Sequence, residues 1–402
     1  MSIVRLEEPR VMPKTPPKGF ALFAFGFRPF YLLGTALAAI GVPLWILVLA
    51  GAVPWMPVFP AMLWHGHEML FGFVTAIIVG FLLTAGHNWT GLATPTGASL
   101  AALVALWLAG RVALFSGNPV LAAVVDLAFL PAVALIMARL VLRAKSRRNY
   151  FVPLLLLALA GCNALVHAGV NGWAEVSPQT GLHLAVALVT VLETVIAGRI
   201  VPSFTANALR TVPWRHAGVD RAAVALTAAA LLAWAIDMPA ATTGAFAVLA
   251  ALLQGLRIWG WRPLATLGTP LLWILHVSHA WIVVALMFLA LAGAGIVEAT
   301  PVLHLLTVGA TGGLIIGMIT RTALGHTGRL LKAGSIEATC YWLLQLALIL
   351  RILPMLGLPA SAYRGFLMAS STAWMLCFFL YLWKYAPILI QRQATSPEAM
   401  LG

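Results

Sequence analysis

Residues 64–86 read WHGHEMLFGFVTAIIVGFLLTAG, and Glu68 is the one acidic or Lys/Arg charge among them. At about 1.5 Å per residue an apolar run of this length matches the hydrocarbon thickness of a bilayer, so it reads as a transmembrane helix. Similar runs fill the rest of the chain. Its 402 residues are 62% hydrophobic and 9% charged, with mean hydropathy +0.99, where a soluble domain carries about 25% charge. Lipid tolerates only helices or closed barrels. The fold class is therefore all-α, a polytopic membrane bundle.

Twelve spans are expected, near 28–50, 64–86, 97–116, 119–141, 150–170, 181–200, 219–237, 240–259, 269–293, 301–324, 335–356 and 362–386. This divides the chain into an N-terminal arm (1–27), a twelve-helix domain (28–390) and a C-terminal tail (391–402), with both ends cytoplasmic. The orientation follows from the basic residues. With the N-terminus inside, only Arg111, Arg351 and Arg364 of the 24 Lys and Arg fall on the outer side, the pattern of the positive-inside rule. The net charge of +13 is thus topology rather than a nucleic-acid patch. Pro9, Pro13, Pro16 and Pro17 break the arm, and the first span is full length without a small-residue cleavage site, against a removable signal peptide. Cys162, Cys340 and Cys377 form no CxxC or CxxCH motif, which excludes covalently attached haem.

Histidine is the informative residue. His65, His67, His167, His183 and His304 all fall at the outer ends of spans, whereas His87, His216 and His326 lie at the cytoplasmic face and His276 and His279 are deeper. Five imidazoles in one layer, with few carboxylates, suit haem iron, copper or zinc better than Mg²⁺ or Ca²⁺. Any one of them alone is as well explained by a structural hydrogen bond, and His67 or His183 by contact with water. His65 and His67 point to nearly opposite sides of a helix, so one ion does not take both and two neighbouring centres are implied. Glu68 shares a face with His65 and is expected to orient it. Each of the pairs His65/His87 and His304/His326 spans 22 residues, close to six turns, and is expected on one face. Of the other buried acids, Asp126 and Glu193, the latter lies near mid-span six as a proton-relay or substrate-ion position, or in a helix–helix hydrogen bond. Gly309, Gly312, Gly313 and Gly317 are read as close-packing positions.

Several segments resemble the NnrS family of membrane proteins: Phe27-Arg28-Pro29-Phe30 with Gly34, WHGHEMLFGF at 64–73, GFLLTA before Asn88-Trp89-Thr90-Gly91, GRIVPSFT at 198–205 and TVGATGGLIIGMITRTALGHTGR at 307–329. This chain has His87 where the family pattern has proline. The resemblance implies a twelve-helix bacterial inner-membrane protein with non-covalent haem b and copper, linked to resistance against nitric oxide stress, with nitric oxide or nitrosylated iron species as ligand. His65, His67, Glu68, Arg199, Arg321, His304 and His326 match family motif positions. The candidate cofactor ligands are His65, His67, His304, His183, His167 and His276; a metal ion would draw on His65, His67, His183 and His304. Glu68, Glu193, Asn163, Arg199, Arg321 and His326 are expected as supporting groups or proton relays. The chain is also similar, at the level of fold, to haem-copper oxidases, but lacks their adjacent histidine pair in helix seven. The alternative from another class is a twelve-helix secondary transporter without a metal centre; membrane oxidoreductase activity on nitric oxide is left open.

Overall fold

The computed structural model describes residues 20–391, so most of the expected N-terminal arm and the tail beyond Gln391 lie outside the described residues. Twelve helices run up and down: α1 (Phe27–Leu49), α2 (Ala61–Thr90), α3 (Gly97–Ala113), α4 (Pro119–Arg143), α5 (Phe151–Val170), α6 (Pro178–Leu209), α7 (Ala217–Ala235), α8 (Ala240–Gly260), α9 (Pro270–Gly293), α10 (Val302–His326), α11 (Ser335–Ile352) and α12 (Ala360–Ile390). Eleven membrane-crossing lengths are reached; α3, at 17 residues, is shorter. Every expected span coincides with one helix.

Local chemistry sets the ends. Proline occupies the first turn of α4, α6 and α9, where a missing N–H costs nothing. Asn118 caps α4 by accepting from the amides of Val120 and Leu121. Gly91, at φ 67°, stops α2 in the left-handed region. Arg28 closes the bundle: it donates to the carbonyls of Leu389 (2.8 Å) and Gln391 (2.7 Å), satisfying the orphaned end of α12.

Two helices differ from the rest. Within α2 and α10, 78% and 72% of the apolar window is buried, against 50% at most elsewhere, so these two form the centre and the others the lipid-facing wall. Both run from the end that carries His65 and His304 toward the end that carries the basic loops. In each the backbone widens into π-helical turns, over Glu68–Val74 in α2 and Leu305–Gly312 in α10. Such wide turns cluster at functional sites. The glycines of α10 pack as expected: a Cβ on Gly309 would stand 2.8 Å from Trp281 of α9 and 2.7 Å from Leu348 of α11.

The π turns correct one expectation. A π segment slips the register that follows it, so 22 residues of α2 no longer make six even turns. At the far end of the seam it is Asn88 and Trp89 that line a cavity of about 180 Å³ together with His326. His87 turns instead to the carbonyl of Leu92, 2.9 Å away.

Candidate metal and cofactor sites

Two sites lie side by side at the end opposite the basic loops, and α2 contributes to both. The first is a cavity of about 300 Å³ walled by α1, α2, α6, α10, α11 and α12, where His65, His183 and His304 meet Trp45, Arg351 and Trp374. The His65 ring stacks on Trp45 at 4.2 Å, and that of His183 on Trp234 at 4.3 Å, so each imidazole plane is set by an indole. The buried Nδ1 atoms of His65 and His304 make no hydrogen bond. Such orphaned nitrogens are rare in a finished core and suit ligation. Arg351 brings a guanidinium to the cavity and donates to the Tyr363 hydroxyl at 2.9 Å. Apart from Arg351 and a few hydroxyl and amide groups, the remaining wall is apolar.

The second site is a polar cluster among α2, α3, α4 and α5. His67 reaches Glu68 through Nδ1 (3.1 Å), and through Nε2 it faces Asp126 Oδ2 (3.1 Å) and Asn163 Oδ1 (2.9 Å). His167 reaches the same Asp126 oxygen at 3.0 Å, and Asn163 donates to it at 2.8 Å. Arg111 of the short α3 binds both carboxylates, Glu68 at 2.9 Å and Asp126. The ligand-type atoms of His67, Asp126 and His167 lie within 4.8 Å of one another, all buried, so these three can hold a metal ion. Phe59 covers both imidazoles, 5.0 Å and 4.8 Å away between ring centres. Two glycines make the room. A Cβ on Gly110 would lie 3.0 Å from Asp126 Oδ1, and one on Gly72 would lie 3.1 Å from the Arg111 guanidinium. The Trp107 indole donates to the Gly72 carbonyl at 3.1 Å, inside the π turns of α2.

Glu68 is thus the partner of His67 and Arg111, and its expected bond with His65 is not made. The π turns start at Glu68, and Arg111 draws its carboxylate toward α3. The remaining expected residues are dispersed. His276 belongs to neither site: its Nδ1 donates to the Leu272 carbonyl at 3.1 Å, and its Nε2 stands 3.4 Å from the Thr205 hydroxyl. Glu193 lines a separate apolar cavity of about 120 Å³ with Tyr31 and Trp89, and its Oε2 is unpartnered. Arg321 sits 3.7 Å over the Phe204 ring, His326 packs against Phe27 at 5.5 Å, and Arg199 accepts a bond from Ser203 through its carbonyl. Arg111, Asp126 and Arg351 were absent from the expected sets. Their signal was in the sequence: Arg111 and Arg351 are two of the three exceptions to the positive-inside pattern, and Asp126 is one of the few buried acids.

The family model described as NnrS protein matches residues 21–393. No curated protein matches the chain.

Proposed function

The chain belongs to the NnrS family, over nearly its whole length, and on that premise we propose that it carries haem b in the cavity of His65, His183 and His304 and there binds or reduces nitric oxide or nitrosylated iron, protecting a bacterial cell from nitrosative stress. The family is metal-associated and linked to nitric oxide stress, and the apolar helices put the chain in a lipid bilayer. The observation that carries the reading is the pair of orphaned Nδ1 atoms, on His65 and His304, brought to one cavity by the two central helices. Haem iron accepts imidazole as an axial ligand, and in its ferrous form binds nitric oxide.

The chain's own residues then have definite tasks. Trp45 holds the His65 ring in one plane, which fixes the direction of its lone pair. Arg351 offers a positive charge for the carboxylates that a porphyrin would bring into the membrane. The apolar wall excludes water and admits a small uncharged gas, which reaches the site through lipid without a polar channel. His183 supplies a further imidazole, a donor that suits copper. The inner membrane is the proposed location.

The visible spectrum and metal content of the purified protein test this reading. A Soret band that shifts on adding nitric oxide supports it. A protein with neither Soret band nor bound transition metal returns the chain to the transporter reading.

A further inference from the structure

We propose that the cluster of His67, His167 and Asp126 is a second metal centre, distinct from the haem cavity, which holds one divalent ion of the iron(II) or zinc(II) type. The inference deepens the proposed function by setting two centres side by side, and rests on it only for that pairing.

The argument runs through donors and acceptors. Arg111 pairs with both Glu68 and Asp126, so both are carboxylates and can only accept hydrogen bonds. Glu68 therefore fixes the proton of His67 on Nδ1, and the Nε2 lone pair is bare. Asn163 donates its amide to Asp126, which turns its own oxygen toward the same Nε2. A bare nitrogen thus faces two acceptor oxygens, at 2.9 Å and 3.1 Å, with no donor between them. Two carboxylates and one guanidinium leave a formal charge of −1 in a membrane interior. A positive particle at the meeting point cures both faults.

A divalent ion accounts for more of the geometry than a proton does. A proton on His67 leaves His167 without a purpose, since the Asp126 carboxylate is already bonded by Arg111 and Asn163, yet a second buried imidazole is aimed at it from 3.0 Å. Two imidazoles and one carboxylate form the donor set of open iron(II) sites, and zinc takes the same atoms. Donor atoms about 3 Å apart form the edges of a coordination sphere whose bonds are about 2.1 Å long. Glu68 behind the far nitrogen of His67 is the outer carboxylate that orients metal-binding histidines.

The test uses the full-length protein in detergent. Iron, zinc, copper and manganese are counted per chain by mass spectrometry, haem is counted separately, and the sample is incubated without oxygen with iron(II) or zinc(II) and desalted. We expect one non-haem ion per chain, present as purified or taken up, to fall at least tenfold in Asp126→Asn and in His167→Ala while any Soret band is unchanged. His167→Ala removes a neutral ligand, so it serves if the Asp126 variant does not fold. A folded parent that neither carries nor takes up an ion overturns the proposal and leaves the proton in its place. Uptake equal in the parent and both variants also overturns it, by showing an adventitious ion only. An ion bound without haem sustains this centre and refutes the haem reading instead.

Discussion

His65 and His67 stand two residues apart on α2 and serve different neighbourhoods: the ring of His65 lies on Trp45 at 4.2 Å, while that of His67 is clamped between Glu68 and Asp126. The helix divides its two imidazoles between a cavity and a charged cluster, and substitutions at the two positions should separate accordingly.

His65→Ala and His304→Ala are each expected to lower haem occupancy or shift the Soret band, and His67→Ala to leave both as in the parent. Absorption spectra of purified variants at matched protein concentration check this. An altered spectrum in His67→Ala alone would reverse the assignment of the two sites.

Glu68→Gln keeps the shape of the side chain and removes its charge. Arg111 and His67 each lose a charge-assisted partner, which costs about 1–3 kcal/mol. The thermal unfolding midpoint in detergent should fall while the haem spectrum holds.

Arg111→Ala is a heavier change, since it strands two buried carboxylates and breaking such a pairing costs about 3–5 kcal/mol. Arg111→Lys keeps the charge but not the fork that reaches Glu68 and Asp126 together. The expected order of monodisperse yield is parent, Lys variant, Ala variant. Equal yields would show that the cluster contributes little to folding.

Gly110→Leu should push α3 away from α4, because a Cβ at that position already lies 3.2 Å from the Asp126 backbone. Overpacking of this kind costs about 1–3 kcal/mol. A lowered midpoint together with loss of the non-haem ion is the expected result.

In cells, loss of the protein should slow growth under nitric oxide and leave ordinary growth unchanged. A copy with His65 and His304 both replaced by Ala, shown by immunoblot to be in the membrane, should fail to restore resistance. Full rescue would mean that the cavity is not what protects the cell.

The helices were legible because lipid enforces one signal, apolar length, and each of the twelve runs carries it. The outer histidine layer was legible for a related reason: imidazoles are costly in that solvent, so their height along the chain is informative. Partner choice was not. Whether Glu68 serves His65 or His67 depends on Arg111, more than 40 residues away in sequence, and on π turns that no periodicity argument built on 3.6 residues per turn contains. Arg111 and Arg351 were visible as charges on the wrong side of the membrane; what they touch was set by tertiary packing.

The widened turns at Glu68–Val74 have a consequence for how this chain tolerates change in length. A π segment holds one residue more than an α-helix needs to cover the same rise. Deleting a single residue there would let α2 close into regular α-helix with no loss of span, yet would swing everything beyond it by about 100° relative to His65 and His67. His87 would then face the seam in place of Asn88. The extra residue works as a phase setting between the two ends of α2, and a shortened α2 would remain a sound membrane helix with its two ends out of step.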